Sequence, residues 1–322
     1  MSVTDGFQVR VAAKREEAAG ICGFDLVRSD GGALPPFSAG SHIDVMIPGG
    51  PTRQYSLCNS PAESHRYQIA VLRDPNSRGG SAGMHERVVI GDMLWISAPR
   101  NHFALARDAE RHLLLAGGIG VTPLLCMAES LSASGAQFEM HYCARSRACT
   151  AFLERIRQSR YAAQVRLHFD DDHDDPPFDL AALLARQGGG PHLYVCGPQG
   201  FMDAVLQAAR VAGWPENRLH HEFFTAAPRA TAVDESFEVE IASSGEVVVV
   251  GACESVVQAL ARAGIEIETS CGLGVCGTCA TRVLAGEPEH CDVYLTSEQR
   301  EANDQFLPCC SRAKSRRLVL DL

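Results

Sequence analysis

The chain reads SCGLGVCGTC over residues Ser270–Cys279, with Cys271, Cys276 and Cys279 spaced as C-x4-C-x2-C. A fourth cysteine, Cys309, follows after a long gap. The three glycines of this stretch lack a β-carbon, so the backbone can adopt positive φ angles and wrap closely around a compact group. A two-iron cluster needs four converging thiolates and backbone N–H donors to its sulfides. The stretch therefore predicts an iron–sulfur site whose ligands also tie the C-terminal segment together.

The spacing of these cysteines favours a plant-type [2Fe–2S] cluster over its rivals. A structural zinc site usually pairs two C-x2-C knuckles, and the chain has only one, Cys276 and Cys279. A thioredoxin-type redox pair would lie at a strand-to-helix turn, without a third cysteine just upstream. Spacing alone leaves the fourth ligand open, because Cys291 and Cys310 are also available. Cys309, which follows a Phe-Leu-Pro run, is preferred.

Composition narrows the class of protein. A chain of 322 residues, 46% of them hydrophobic, is long enough for two or three domains. Residues 1–20 carry charges without an apolar core, and no apolar run approaches ~18 residues, so we expect neither a signal peptide nor a membrane span. The odd number of cysteines, 13, then indicates reduced thiols in the cytoplasm.

The net charge of −10 argues against a nucleic acid partner. From position 236 onward there are 13 acidic and 7 basic side chains, a net charge of −6. The cluster-bearing end therefore holds more than half of the acidic excess. Such a surface suits docking against a basic protein.

The first third of the sequence is typical of an antiparallel barrel, with short strands separated by glycine and proline turns. The predicted strands are Phe7–Ala13, His42–Pro48, Thr52–Cys58, Tyr67–Arg73 and Met93–Ser97. From His112 onward, strand and helix patterns alternate, which favours a parallel, doubly wound sheet. The predicted elements are His112–Ala116, a helix ending near Leu131, Phe138–Cys143, Thr150–Gln158, Val165–Phe169, Leu180–Arg186, Leu193–Cys196 and Gly200–Ala212.

The last segment follows a stretch of little periodicity at positions 226–235, which we interpret as a linker. Its predicted strands and helix are Phe237–Ala242, Glu246–Val250, a helix near Ser255–Ala263, Ala280–Leu284 and Leu318–Asp321. This pattern fits a small ferredoxin fold of the α+β class.

A glycine-rich segment, Gly117–Pro123, follows a predicted strand and precedes a helix. Thr122 is expected to be the helix N-cap and Pro123 its first residue, which leaves the glycines free to approach a pyrophosphate. The segment is not G-x-G-x-x-G, so it differs from the standard dinucleotide fingerprint. The turn Cys196–Pro198 ends another strand, at the edge where open α/β sheets bind ligands. Cys196 by itself is more simply a small buried residue.

Arg53 and Tyr55 lie two positions apart on a predicted strand and so share one face. There a ring could pack on a flavin while the guanidinium pairs with its phosphate. Residues 78–81 read Arg-Gly-Gly-Ser and open a short helical stretch through Val88, a possible phosphate site. The alternative is a surface arginine, a packed tyrosine and a simple turn. A flavin is favoured because nicotinamide and a one-electron cluster in one chain need a converter between two-electron and one-electron steps.

Three further patterns have simpler interpretations. Arg145-Ser146-Arg147 stands where an acid would bind the adenosine ribose, and its arginines could accept the 2′-phosphate of NADPH or be solvated. The acidic run at positions 170–175 is expected to be a solvated loop rather than a cation site. His220, His221 and Glu222 are better explained by a strand near a flavin cleft than by a metal site.

Taken in order, the motifs resemble those of a known family. The chain contains RQYSLCN, RGGS, AGGIGVTP, CGPQGFM, EFF and the C-x4-C-x2-C…C pattern, in that sequence. It is similar along nearly its whole length to phthalate dioxygenase reductase and its relatives, including the reductase components of vanillate demethylases. The resemblance implies an FMN-binding antiparallel β-barrel at residues 1–106 and an NAD-binding α/β domain with a parallel sheet at 107–227. A linker at 228–235 and a plant-type [2Fe–2S] ferredoxin domain of the β-grasp type at 236–322 would follow.

The resemblance also implies the activity and the site residues. Electrons would pass from NADH to FMN, then singly to the cluster and on to a Rieske-type aromatic-ring oxygenase. The implied flavin residues are Arg53, Tyr55, Ser56, Ala70, Arg73, Gly80 and Ser81, with Thr122 near the ring and Phe224 stacked where nicotinamide enters. The implied nicotinamide residues are Gly118, Gly120, Cys196, Gly197 and Pro198. The implied cluster ligands are Cys271, Cys276, Cys279 and Cys309.

Two alternatives remain at this point. One keeps the enzyme class but changes the coenzymes or the acceptor, giving a reductase that uses FAD and NADPH. The other is a non-enzymatic iron–sulfur carrier, which leaves the RQYS and GGIGVTP segments without a purpose. The sequence does not name the aromatic substrate, and it leaves the oligomeric state open, with a monomer as the working hypothesis.

Overall fold

The computed structural model describes residues 6–77, 79–172, 178–224 and 236–322. By their contacts these residues form two compact units, one ending at Phe223 and the other running from Phe224 to Leu322. The predicted linker 228–235, Arg78 and the end of the acidic run, 173–175, lie outside the described residues. Within the described residues, no helix is long and apolar enough to cross a bilayer.

The first unit begins with an antiparallel barrel. Its elements are β1 (Phe7–Ala18), β2 (Ile21–Arg28), β3 (Ser41–Met46), β4 (Thr52–Ser56), β5 (Tyr67–Leu72), α1 (Ser81–Glu86), β6 (Met93–Ile96) and β7 (Arg100–Asn101). Hydrogen bonds join the strands in the order β4-β3-β6-β1-β2-β5, and β7 pairs with β3. The end strands β4 and β5 contact each other, so the sheet curls into a barrel with a seam between them. The predicted fold class of this part is confirmed.

Alternating apolar residues fill the barrel, as period-2 strands require. The fully buried side chains include Val9, Val11, Phe24, Leu26, Ile43, Val45, Tyr67 and Ile69. The sequence prediction missed β2, which carries Gly23 and the buried Asp25, two residue types that are depleted in strands. The Asp25 carboxylate is compensated by Arg15 at 2.6 Å and Arg66 at 3.0 Å. A buried ion pair therefore replaces the apolar alternation that sequence analysis looks for.

The second part of this unit is a parallel sheet with helices. Its strands are β8 (Arg111–Gly117), β9 (Gln137–Ala144), β10 (Val165–Phe169), β11 (His192–Cys196) and β12 (Leu219–Glu222). Its helices are α2 (Val121–Ser134), α3 (Leu153–Gln158), α4 (Leu180–Gln187) and α5 (Gln199–Val211). The strand order is β10-β9-β8-β11-β12, with every pair parallel. The order reverses at β8, so the carboxyl ends of β8 and β11 flank the crevice in which such sheets bind ligands.

The second unit is a small α+β fold. Its elements are β13 (Phe237–Ile241), β14 (Val247–Val250), α6 (Val256–Arg262), β15 (Thr281–Ala285), β16 (Pro288–Glu289), α7 (Ser297–Ala302), β17 (Gln305–Phe306), β18 (Arg312–Ala313) and β19 (Arg317–Leu320). The main sheet has the order β14-β13-β19-β15-β17, and β16 pairs with β18. Both helices begin with a capping box, Ser255 with Gln258 and Thr296 with Gln299. The predicted ferredoxin fold is confirmed.

Candidate functional site

The predicted flavin residues lie on the two strands that form the barrel seam. Tyr55 on β4 packs against the barrel core, and burial raises the pKa of its hydroxyl. The Arg53 guanidinium lies beside Gly80, where a β-carbon would come within 3.1 Å of its Nε atom. A side chain at position 80 would therefore fill the space between Arg53 and the start of α1. The arginine and the first N–H groups of α1 together suit a phosphate group.

Helix α1 is fixed from its other end by Lys14. The Lys14 ammonium donates to the carbonyl oxygens of His85 at 2.6 Å and Val88 at 2.8 Å, at the end of the helix where cations are favoured. The Ser81 hydroxyl accepts a hydrogen bond from the Asp74 backbone N–H at 3.0 Å. These contacts hold the start of α1 against the seam.

The two flavin candidates on β5 differ in position. Ala70 is buried on the strand, where a small side chain leaves room beside the seam. Arg73 lies one residue beyond the strand end and donates to the Glu86 carboxylate at 2.5 Å, an exposed ion pair. The structure thus brings Arg53 and Gly80 together and places Arg73 in a separate surface contact. The flavin roles of Ala70 and Arg73 stay predictions.

A polar group links the seam to the parallel sheet. The Ser56 hydroxyl at the end of β4 donates to the Glu222 carboxylate at the end of β12, at 3.1 Å. Burial raises the pKa of Glu222 to about 7. The negative charge of Glu222 contributes, after burial itself, to the raised pKa of the Cys196 thiol. On the barrel side, His42 Nδ1 lies 3.9 Å from Glu222, and burial lowers the pKa of His42 to about 4.

From its sequence alone, Glu222 is expected on a strand near a flavin cleft but is not among the predicted site residues. The available signal was the EFF motif, which begins at Glu222. The contact with Ser56 could not be foreseen, because it joins residues 166 positions apart.

The two glycine turns of the parallel sheet pack directly on each other. A β-carbon at Gly120 would collide with the backbone carbonyl of Cys196, and one at Gly197 would lie 2.9 Å from the Gly117 Cα atom. By contrast, Gly118 has a φ of +52° and open space around its β-carbon position. At the carboxyl ends of β8 and β11 the turns therefore pack backbone against backbone, with the Phe201 ring against Gly117 and Gly197, and Gly118 leaves open space beside them. This open space allows a dinucleotide to approach closely.

The predicted start of α2 is wrong. Residues Gly118–Gly120 form a 3₁₀ turn that runs straight into a helix beginning at Val121, with Gly120 at the N-cap. Thr122 is therefore inside the first turn, where its hydroxyl donates to the Ile119 carbonyl at 3.1 Å instead of capping. Thr122 is buried, and its predicted position near the flavin ring stays a prediction.

Arg155 ties the barrel to the parallel sheet. From α3 it donates to Gln68 on β5 at 2.8 Å and to Glu129 on α2 at 3.1 Å. The contact fixes a seam strand relative to the helix that follows the glycine turn. The 3₁₀ turn itself also contacts β5. The elements that carry the flavin and nicotinamide candidates of this unit therefore contact each other, and their assignment to one site stays a prediction.

The arginines considered for coenzyme choice differ in their contacts. The Arg147 guanidinium lies over the Phe169 ring at 4.7 Å and pairs with Asp172 at 3.7 Å. Arg145, at the end of β9, is exposed. The structure therefore gives Arg147 contacts with Phe169 and Asp172, and the role of either arginine toward an adenosine ribose stays a prediction. Phe224 is half-buried and belongs to the second unit by its contacts, so its stacking role stays a prediction.

In the second unit the four cysteines converge. The Cys271 thiol is in hydrogen-bonding reach of Cys276 and Cys309, and Cys309 is in reach of Cys279. Cys271, Cys276 and Cys279 are at most 6% exposed. The Leu273 backbone N–H donates to the Cys271 sulfur at 3.3 Å. The donor set and the N–H group fit the predicted iron–sulfur cluster.

The glycines of the loop behave as the sequence predicts. Gly272, Gly274 and Gly277 have φ angles of +63°, +72° and +73°. A β-carbon at Gly274 would strike the Cys310 sulfur, and one at Gly277 would strike the Tyr294 ring. Cys310 therefore packs behind the loop, and Cys291 turns to the Glu289 carbonyl at 3.6 Å. Of the three candidates for the fourth position, Cys309 is the one grouped with the other three thiols.

Comparisons with known proteins agree with this geometry. Residues 239–314 match the family described as 2Fe-2S iron-sulfur cluster binding domain, and residues 96–219 match the dimethylamine monooxygenase subunit DmmA-like N-terminal domain. The chain is 53% identical over 315 residues to the vanillate O-demethylase oxidoreductase of Pseudomonas sp. strain HR199, covering 98% of the chain and 99% of the relative. It is 38% identical to the phthalate dioxygenase reductase of Burkholderia cepacia, covering 99% and 98%. A solved phthalate dioxygenase reductase, described as a modular structure for electron transfer from pyridine nucleotides to [2Fe–2S], superposes with a TM-score of 0.79 at 37% identity, covering 99% of this chain and 98% of that one.

Proposed function

The chain belongs to the family of vanillate O-demethylase oxidoreductases and phthalate dioxygenase reductases, and from this premise we propose that it passes electrons from NADH, by way of FMN and a [2Fe–2S] cluster, to a Rieske-type oxygenase. The observation that carries the proposal is the set of four converging thiols in the second unit. The first unit of the same chain contains the seam of the barrel and, in its parallel sheet, a crevice of the kind that binds nucleotides. When bound, a flavin converts the two-electron hydride of nicotinamide into single electrons, and a [2Fe–2S] cluster carries those one at a time.

The residues of the first unit bind and orient the coenzymes. Arg53 and the start of α1 at Gly80 hold the flavin phosphate, and Tyr55 with Ser56 and Ala70 line the seam for its ring. The turns at Gly118 and Gly120 and at Gly197 and Pro198 let the dinucleotide backbone approach. Thr122 bounds the place where the rings meet, and Phe224 is proposed as the stacking residue at the nicotinamide entrance only on the family resemblance. Support comes from the contact of Arg53 with Gly80 and from the packing of the two turns.

Glu222 is the proton-holding group of this site. Its carboxylate receives the Ser56 hydroxyl hydrogen bond, and burial brings its pKa to about 7. At neutral pH it can therefore hold or release a proton at its carboxylate oxygens, beside the thiol of Cys196. The coenzymes carry the redox chemistry, so the reaction needs no side chain that forms a covalent bond with the substrate.

The second unit delivers electrons to a protein partner. Cys271, Cys276, Cys279 and Cys309 hold the cluster, and the surrounding unit carries the acidic excess. The partner is an oxygenase component with a basic docking surface, of the aromatic demethylase type named for the relative at 53% identity. The partner, rather than this chain, would bind the aromatic compound.

Coenzyme choice has a second candidate. The exposed Arg145 is followed by Ser146 rather than by an acid, so the site lacks the carboxylate that would repel a 2′-phosphate. NADPH is therefore the specific alternative to NADH.

The proposal is tested on purified holoprotein. The released flavin is identified by chromatography, and cytochrome c reduction is compared with NADH and NADPH. FMN and a higher kcat/KM for NADH are expected. FAD, or a preference for NADPH, would correct the coenzymes, and no reduction with either nicotinamide would refute the function.

A further inference from the structure

A buried carboxylate, Asp292, lies directly behind the cluster loop. Its side chain is 0% exposed. A β-carbon at Gly274 would come within 3.0 Å of its Cα and 3.1 Å of its Cβ, so Asp292 packs on the middle of the loop between Cys271 and Cys276. The next residue, Val293, donates its backbone N–H to the Gly274 carbonyl at 3.0 Å. A fully buried acid is uncommon and needs partners.

The partners of this carboxylate are donors. One oxygen accepts the backbone N–H groups of Tyr294 at 3.1 Å and Leu295 at 2.8 Å. The other accepts the Ser311 hydroxyl at 3.4 Å. Arg300 of α7 lies 3.8 Å from the carboxylate and donates to the Asp292 backbone carbonyl at 2.7 Å. In each of the hydrogen bonds to its side chain the carboxylate is the acceptor.

These contacts reach both segments that carry cluster ligands. Through Gly274 the residue touches the loop that holds Cys271 and Cys276. Through Ser311 it touches the segment that begins with Cys309. Tyr294, whose backbone N–H donates to the Asp292 carboxylate, covers Gly277 of the loop with its ring. Asp292 therefore holds the ligand-bearing segments in register.

The pocket around the carboxylate excludes water on its inner side. His290 Nδ1 lies 3.7 Å from the carboxylate, its side chain is 9% exposed, and within the described residues neither ring nitrogen has a hydrogen-bond partner. Arg300 is 38% exposed, so its charge is partly screened by solvent while that of Asp292 is not. The negative charge therefore acts on its surroundings more strongly than its partner's positive charge does.

We propose that Asp292, in addition to positioning the loop, lowers the reduction potential of the cluster, and that the positive charge of Arg300 partly offsets this effect. Net charge and solvent exposure near an iron–sulfur cluster are main determinants of its potential. A fixed negative charge opposes the addition of an electron, so Asp292 lowers the potential, and Arg300 limits that effect. The inference rests on the proposed cluster site.

The test is an EPR-monitored redox titration of the holoprotein and its variants, after iron content and visible absorbance have been matched. Asp292→Asn keeps the size and the acceptor oxygen but removes the charge, and it should shift the midpoint potential to a more positive value. Arg300→Gln removes the positive charge beside the carboxylate and should shift the potential to a more negative value. Arg300→Lys keeps the charge and should stay near the wild type. The exposed Asp304→Asn in the same unit is the matched control and should cause no shift.

Opposite shifts from the two charge variants support the proposal, since loss of packing alone gives no reason for opposite signs. Unchanged potentials, or shifts of the same sign in both variants with the cluster intact, overturn it. If Asp292→Asn fails to retain a cluster, the potentials of Arg300→Gln and Arg300→Lys are compared instead. A more negative potential in Arg300→Gln but not in Arg300→Lys supports the proposal, and equal potentials in the two variants overturn it. A wild-type protein without a cluster would instead refute the proposed function.

Discussion

Single residues decide which thiols can hold the cluster. Cys309 and Cys310 are neighbours in sequence, yet their sulfurs have different surroundings. Cys309 is grouped with Cys271 and Cys279, while Cys310 packs behind Gly274 and points toward the Leu307 carbonyl at 3.7 Å. The difference comes from the turn that ends the Phe-Leu-Pro run, which spacing cannot reveal.

Substitution of these two cysteines tests the assignment. Cys309→Ser should lose most of the iron and of the visible charge-transfer absorbance, because a cluster needs four thiolate ligands. Cys310→Ser should keep both, since it removes only a packing contact. Iron analysis and absorbance of the two purified variants measure this. Loss of the cluster in Cys310→Ser with retention in Cys309→Ser would reverse the assignment.

The ionisation of Glu222 should make the stability of the folded protein depend on pH. Its pKa is raised from an ordinary 4.5 to about 7 by burial, so the folded protein favours the protonated form. The stability that this group contributes is full below the ordinary value and is lost as the pH rises through 7. Glu222→Gln, which cannot ionise, should match the wild type near pH 4 and become more stable than it by pH 8, by up to about 3 kcal/mol.

The measurement is the melting temperature of both proteins at equal flavin content across this pH range. The same substitution at the exposed Glu154 on α3, Glu154→Gln, is the control. A difference between Glu222→Gln and the wild type that is constant with pH would contradict the assigned pKa.

At the scale of elements, the close packing of the two glycine turns makes the nucleotide crevice. Gly120 is in an ordinary helical conformation, so its importance lies in the space it leaves for the Cys196 carbonyl rather than in its φ angle. Backbone cannot move aside as a flexible side chain can. An added methyl group must therefore push β11 and the turn after β8 apart.

Gly120→Ala should consequently lower the free energy of unfolding by about 1–3 kcal/mol and weaken nicotinamide binding. Gly200→Ala in α5, where nothing lies within 4 Å of the β-carbon position, should be neutral or slightly stabilising. Chemical denaturation and NAD⁺ binding to both variants provide the comparison. Equal stability and binding in the two would show that the turns do not pack as described.

Sequence patterns predicted the elements whose local signals were regular. Strand β10 agrees with its predicted range, Val165–Phe169, and β13 and β19 agree within one residue at each end. The elements that were not predicted include β2, where the buried ion pair of Asp25 breaks the alternation, and α7, whose capping box at Thr296 was not used. The two-residue strands β7, β16, β17 and β18 were not predicted either, because they are too short to show a period. The start of α2 was misplaced because a 3₁₀ turn leads into it.

In the candidate site, as in the fold, the residues with local sequence patterns were predictable and the contacts between distant segments were not. Cysteine spacing pointed to the thiols and glycines pointed to the turns, since both are local patterns. The Ser56–Glu222 contact and the position of Asp292 behind Gly274 depend on chain segments meeting in space. Such contacts have no signature in a single sequence.

In the chain taken together, the proposed coenzyme site belongs to one unit and the proposed cluster site to the other. The first unit is proposed to bind a two-electron donor, and the second to hold a one-electron carrier. Each would be incomplete alone, because the oxygenase partner takes electrons singly and NADH gives them in pairs. The central claim is therefore that electrons from NADH reach the cluster within this one chain.

An anaerobic titration of the holoprotein with NADH, followed by absorbance and EPR, tests this claim most directly. We expect NADH to bleach the flavin band and the EPR signal of a reduced [2Fe–2S] cluster to appear in the same titration. Bleaching of the flavin without any cluster signal, when dithionite does produce that signal, would contradict it.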